Sequence, residues 1–434
     1  MIVATALGCA PGAAPLPDVV DVATDAVPPV DGAPNDDGPG VQAADVPTVD
    51  VSVVDVPRTA PDAATMDVAR DASADVTART DAAADHPDVP APRPLWLTGY
   101  YAGWMQDAVP PAALDLAAVT HVIHFSLVPH ADGSLDAAEN GLDAAHVRAA
   151  VAAVHGAHRK VLVSVGGAGT RAAFAAAWTP SVRPTFVANI ARFVAANGYD
   201  GADLDVEPLQ ASDAANFQAL ARELHAALRA HDAAALMTAA VGDAGAAYVP
   251  VQALFDQLNV MDYDTSGPWP GWVTWHNTPL HNGGATFPGG GALPCTETTL
   301  AALLRAGVDR SRLGVGIDFY GYDWTGASEP RQSIAGVTTR TRSYAQLLDT
   351  YDGVATLRWD PAAMVPYYSL AARGGLPAHF VSFDDARSGV AKIDWARAQG
   401  LGGAMVWELA GGHRASQPAA EREALLTALG AAAR

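Results

Sequence analysis

Cysteine is nearly missing from this 434-residue chain, with only Cys9 and Cys295 present. Two thiols cannot build a disulfide framework. Cys295 follows Gly289-Gly290-Gly291-Ala292-Leu293-Pro294, where no histidine partner stands beside it, so it reads as inert packing rather than a nucleophile. Basic residues are also scarce: 26 Lys and Arg face 47 Asp and Glu, for a formal charge of −21. Nothing offers a basic footprint for phosphates, which excludes a nucleic-acid partner. No segment beyond the N-terminus is long and apolar enough to span a bilayer.

The scarcity is uneven. Residues 1–92 contain no Glu, Lys, Phe, Tyr or Trp, and their sixteen Asp against three Arg give −13. Only −8 of the charge therefore belongs to residues 93–434. Residues 1–9 form a short apolar opening ending on Gly8-Cys9, which resembles the end of a bacterial lipoprotein export signal. A secreted protein or a cell-surface lipoprotein anchored through Cys9 is the expectation, with an ordinary export signal as the alternative. Residues 10–92, rich in Asp, Val, Pro and Ala, bury too little apolar surface to offset their conformational entropy. They read as a disordered stalk with no binding task of its own.

Residues 93–434 alternate short β-rich runs with Ala-rich amphipathic stretches. The runs are Leu95–Tyr101, His121–Val128, Val161–Val165, Gly201–Val206, Leu236–Val241, Leu258–Tyr263, Leu313–Phe319 and Gly402–Trp407. Between them Phe217, Leu220, Ala221, Leu224 and Leu228 recur at helical spacing, as do Phe186, Ile190, Phe193 and Val194 before a stop at Gly198. Eight strands separated by helices predict an α/β fold, a (β/α)8 TIM barrel. Residues 320–384 are too long for a loop and predict a small α+β insertion between strands 7 and 8.

The most informative stretch is Tyr199-Asp200-Gly201-Ala202-Asp203-Leu204-Asp205-Val206-Glu207. Side chains alternate along a strand, so Asp203, Asp205 and Glu207 share one face and Ala202, Leu204 and Val206 the other. Three acids in a protected row repel one another and are costly to desolvate, which points to chemistry or a bound ion. A solvated edge strand fits poorly with the apolar opposite face. A hard cation would want further oxygen ligands that the flanking residues do not offer. Two weaker signals lose to simpler readings. Gly166-Gly167-Ala168-Gly169 lacks the spacing of a dinucleotide loop. His121 and His124 face opposite ways on a strand, and His155 and His158 lie at a polar helix end, so neither pair reads as metal ligands.

Asp200-Gly201-Ala202-Asp203-Leu204-Asp205-Val206-Glu207 resembles the signature of glycoside hydrolase family 18, the chitinases and their relatives. Other segments agree in order: Gly99-Tyr100-Tyr101 with Trp104, Thr120–Phe125, Ser164-Val165-Gly166-Gly167, Met261-Asp262-Tyr263-Asp264, Phe319-Tyr320-Gly321 with Trp324, Ser382–Asp385, and Gly402–Glu408. The similarity covers residues 93–434. It implies retaining, substrate-assisted cleavage of a β-1,4 link beside N-acetylglucosamine, in which the sugar's acetamido oxygen replaces an enzyme nucleophile. Glu207 is then the general acid, its pKa raised by repulsion from Asp205 and by partial burial. Asp205 would orient the acetamido N–H, Asp203 would share a proton with it, and Tyr263 would hold the acetamido carbonyl. Met261 and Asp264 shape the floor, and Trp407 closes the bottom of the sugar site.

Tyr100, Trp104, Phe125, Tyr320 and Trp324 are further candidate walls. Trp269, Trp272 and Trp275 crowd one loop as a candidate sugar platform, and replacing all three is expected to leave the fold intact. Val206, where many chitinases carry Trp, and Asp262 should face away from the site. The expected partner is an N-acetylglucosamine-containing polysaccharide, met by a monomer with no cofactor and no metal. An endo-β-N-acetylglucosaminidase acting on N-glycans or peptidoglycan shares the same acids. A non-catalytic chitin-binding protein on the same barrel is the third reading.

Overall fold

The computed structural model describes residues 93–434; the expected export signal with Cys9 and the expected stalk over residues 10–92 lie outside the described residues. In chain order the strands begin with β1 (Trp96–Ala102), β2 (His121–Pro129), β3 (Leu135–Asp136), β4 (Lys160–Gly167) and β5 (Gly201–Val206). They continue with β6 (Leu236–Val241), β7 (Gln257–Val260) and β8 (Leu313–Asp318). An insertion then supplies β9 (Tyr320–Thr325), β10 (Thr338–Ser343), β11 (Thr356–Asp360), β12 (Val365–Leu370) and β13 (His379–Phe383), before β14 (Gly403–Trp407). Parallel pairing runs β1-β14-β8-β7-β6-β5-β4-β2, and β1 pairs with β2, which closes the barrel. The short β3 only forms an antiparallel hairpin with β2.

Each barrel strand puts one set of side chains inward and the other under the helices. Leu97, Val122, Val163, Leu204, Val206 and Val406 belong to the outer layer, so Val206 does face away from the site. The helices covering that layer include α1 (Ala144–Gly156), α2 (Arg171–Ala177), α3 (Arg183–Asn197), α4 (Ala214–His231), α5 (Gly245–Tyr248) and α6 (Thr296–Ala306). On α4 the buried residues are Phe217, Leu220, Ala221, Leu224 and Leu228, the predicted stripe. Gly198, at φ 74°, caps α3 in the left-handed region that glycine adopts without a Cβ penalty. Cys295 is buried and caps α6 through Thr298. His124 is also buried, held between Gln106 and the Tyr199 hydroxyl, whereas His155 pairs with Asp200 at an exposed helix end.

The insertion is an antiparallel sheet ordered β10-β9-β13-β12-β11. One face packs on α7 (Tyr344–Tyr351) through Leu347, Tyr351, Tyr368, Val381 and Phe383. The other buries Trp324, Tyr367 and Phe380, and His276 from the long loop after β7 stacks its edge on the last two. That loop is thereby fastened to the insertion. Helices α8 (Ala386–Ala398) and α9 (Ala424–Ala433) complete the outer ring.

Candidate active site

β5 carries the acid row along the inside of the barrel. Register places Asp203 beside Ser164 of β4 and Thr238 of β6, and both hydroxyls donate to its carboxylate at 2.9 and 2.6 Å. The Tyr100 hydroxyl adds longer contacts of 3.3 and 3.4 Å. One step up the strand, Asp205 lies beside Gly166, where a Cβ would sit 1.9 Å from the Asp205 carbonyl oxygen. Only glycine lets β4 lie this close to the acids. Glu207 is partly exposed at the C-terminal end of β5, where barrel chemistry gathers. Cis peptides occur at Phe125–Ser126, Glu207–Pro208 and Trp407–Glu408.

Burial governs the charges here. It raises Glu207 to about 7, a rise that hydrogen bonding with Asp205 opposes and the charge of Asp264 reinforces. The sequence points to both repulsion from Asp205 and burial; in the folded protein burial is the largest cause, and Asp205 acts to lower Glu207 rather than raise it. Burial, then the charges of Glu207 and Asp203, push Asp205 well above the usual carboxylate range. Both carboxyls of the pair are therefore harder to ionise than ordinary acids. Burial also lifts Asp203 to about 6 against its three hydroxyl donors. Those donors occupy Asp203, and its charge still acts on Asp205 one step along the strand. Asp205 keeps one buried oxygen, Oδ1, with no hydrogen-bond partner.

Around the acids, Tyr100, Phe125 and Met405 form a buried layer on which Met261, Tyr263 and Trp407 pack partly exposed. Burial followed by the charges of Glu207 and Asp205 holds the Tyr263 phenol protonated. Trp407 meets Phe125 edge-on at 4.7 Å, and Phe125 meets Trp104 at 5.7 Å, so three rings run outward in file. Trp104 ends that file 41% exposed. Tyr320 stands edge-on to Tyr263 at 6.0 Å and donates to Asp264 at 2.5 Å.

Several expected walls lie elsewhere. Tyr100 is 1% exposed and supports Asp203 rather than lining the cavity. Trp324 is fully buried in the insertion core, because its strand turns it toward Tyr367 and Phe380. Trp275 is fully buried as well and donates its indole N–H to the Pro294 carbonyl, so the three-indole platform reduces to two. Trp269 and Trp272 remain partly exposed, edge-on at 4.5 Å, with Phe287 supporting Trp272 at 4.9 Å. Replacing all three would therefore damage the fold. Trp275→Ala alone should cost about 3–5 kcal/mol of stability in denaturant titrations.

Sequence reading missed Thr238, Tyr322 and Asn277. Thr238 carries no motif, although its register partner Asp203 does. Tyr322 lowers Asp264 alongside Tyr320, and alternation from Tyr320 along β9 could have found it. Asn277 accepts the Asp264 N–H at 3.0 Å from thirteen residues away, a contact without a local signal.

A family model described as Glycosyl hydrolases family 18 matches residues 97–412. Chitinase A1 of Niallia circulans is 31% identical over 290 residues, covering 58% of this chain and 40% of that protein. A probable endochitinase of Caenorhabditis elegans is 30% identical, covering 58% of this chain and 43% of that protein. The chain thus spans less than half the length of these relatives. Among solved structures, a Group IV chitinase of Ostrinia furnacalis superposes with TM-score 0.67 at 22% identity, covering 78% of this chain and 99% of that one. A class V chitinase from Nicotiana tobaccum in complex with NAG4 superposes with TM-score 0.64 at 22% identity, covering 78% and 98%.

Proposed function

The chain belongs to glycosyl hydrolase family 18, and from that premise we propose that it hydrolyses β-1,4-linked N-acetylglucosamine polymers by a retaining, substrate-assisted route. The observation that carries this reading is the acid row on the inner face of β5, with Glu207 at the strand end and Asp205 Oδ1 buried and unpartnered beside it. Glu207 holds a proton near neutrality and gives it to the departing glycosidic oxygen. Asp205 Oδ1 accepts the acetamido N–H, and its charge balances the cationic ring that forms as the acetamido oxygen closes on the anomeric carbon. Tyr263 stays a phenol and steadies that acetamido oxygen. The partly exposed face of Trp407 supports the sugar from below.

Release of chito-oligosaccharides from chitin tests this, with glycoprotein and peptidoglycan assayed in parallel. Cleavage confined to glycoprotein or peptidoglycan would favour the endo-β-N-acetylglucosaminidase reading. Binding without any cleavage would favour the non-catalytic one. Activity on soluble chito-oligosaccharides should fall as pH rises through about 7, where Glu207 loses its proton. A rate constant up to pH 9 would remove Glu207 from the acid role.

Trp269 and Trp272 extend the proposed sugar path over the mouth. Replacing both with Ala should weaken retention on insoluble chitin by roughly tenfold and leave cleavage of short soluble substrates unchanged. Equal loss on both substrates would contradict a role confined to the polymer.

A further inference from the structure

Behind the mouth runs a buried polar chain that the hydrolytic chemistry above does not use. Asp264 sits at φ 55°, in the left-handed region that a residue with a Cβ seldom enters without outside support. Its N–H donates to Asn277 Oδ1 at 3.0 Å. The next residue is clasped too: the Thr265 N–H and hydroxyl both donate to the Asn277 carbonyl, at 3.2 and 2.8 Å.

Asn277 is itself held from behind. Its backbone N–H donates to Ser382 Oγ at 3.0 Å, and its side-chain amide donates to Asp318 Oδ2 at the end of β8. The other oxygen of Asp318 accepts the Asp384 N–H at 3.0 Å. Lys392 of α8 then donates to Asp384 Oδ2 and, at 2.8 Å, to the Thr278 hydroxyl. Asn277, Asp318, Asp384 and Lys392 are all fully buried.

Resting on the hydrolase reading, we propose that Asn277 is a positioning residue that holds Asp264 in place beside the acids, braced by the Asp318–Asp384–Lys392 chain.

Ordinary stitching between the insertion and the barrel would explain buried hydrogen bonds, but not where they end. They end on the amide of Asp264, whose carboxyl accepts from the Tyr320 hydroxyl and whose negative charge raises Glu207. The other titratable groups acting in the site are Asp205 and Asp203 on β5, Tyr263 after β7, and Tyr248 of α5, which feels the charges of all three acids. Burial is the larger influence on Glu207, and the Asp264 charge adds to it, so a displaced Asp264 would be read out at the acid. Behind Asn277, Lys392 faces the charges of Asp318 and Asp262 as well as Asp384, and burial raises both Asp318 and Asp262.

The test compares the full chain with Asn277→Ala and Asp318→Asn. Asp318→Asn keeps the side chain's shape, so it covers the case in which Asn277→Ala folds poorly. For Asn277→Ala, kcat on a soluble chito-oligosaccharide should fall by up to about 10²-fold, with KM little changed. The basic limb of the pH profile should move to lower pH, because the charge that lifts Glu207 is no longer held in place. Hydrogen exchange at the Asp264 amide should accelerate. Asp318→Asn should move limb and exchange the same way by less.

A purely structural role would lower activity only in proportion to the folded fraction, leaving limb and exchange rate at wild-type values. That result overturns the inference. If wild type cleaves none of the sugars while Asn277→Ala still frees the Asp264 amide, the hydrolase reading fails and the bracing stands. If wild type cleaves and Asn277→Ala matches it in limb and exchange, only the inference fails.

Discussion

Glu207→Gln should lower hydrolysis of chito-oligosaccharides by about 10²–10⁴-fold, the range of general-acid contributions, while sugar binding survives. Glutamine keeps the shape of the side chain and its hydrogen bonding to Asp205 but cannot release a proton to the leaving oxygen. The same substitution should change stability in the opposite sense. The folded-state pKa of Glu207 is raised to about 7, against about 4.3 for an unperturbed glutamate. Below pH 4 both folded and unfolded states hold the proton, and the folded state loses nothing. As pH rises through the window from about 4 to about 7, the unfolded state ionises first and the native state loses stability. Glutamine carries no such penalty. The variant should therefore melt above wild type at pH 8, with the gap closing toward pH 4. Asp203, raised to about 6, and Asp262, raised to about 7, add slopes of the same sign in both proteins, while relief of the Glu207 charge on Asp205 widens the gap in the same direction. A variant that is inactive and also less stable at pH 8 would mean that Glu207 is not desolvated as described.

Lys392→Met should be as damaging as Trp275→Ala, by a different mechanism. It removes the cation from a fully buried pair with Asp384 and leaves the carboxyl uncompensated. Breaking a buried pair from one side costs about 3–5 kcal/mol. Urea titration at pH 7.5 measures this directly. Lowering the pH should recover part of the loss, because Asp262 and Asp318, already raised by burial, can take up protons. Adding Asp384→Asn should restore part of it too, since the orphaned charge is then gone. A loss below 1 kcal/mol for Lys392→Met, or no rescue by the second change, would show that the pair is not what holds this corner.

The barrel was legible because its strands and helices carry their periods openly. The apolar stripe of α4 lies at helical spacing, and the three acids of β5 alternate with residues that belong to the outer core. Both patterns are local, so a linear reading recovers them. Trp324 and Trp275 defeated that reading because an indole's neighbours in sequence do not say which surface will cover it. Trp324 has Phe380 as its register partner across the insertion sheet, and Trp275 reaches the carbonyl of Pro294, nineteen residues on. Asn277 and Lys392 were invisible for the same reason in stronger form. The bond between Lys392 and Thr278 spans 114 residues, and only the closed barrel brings its ends together. Asp262 shows the intermediate case: alternation pointed it away from the sugar, but its acceptance of the Gly316 N–H at 2.8 Å needed the fold.

Trp275 and His276 root the long loop in the insertion sheet, while Trp269 and Trp272 stand at its outer edge. Foundation and rim are thus separable parts of one segment. An engineer seeking altered preference for chain length can recut the two outer indoles freely, provided the rooted pair is left alone.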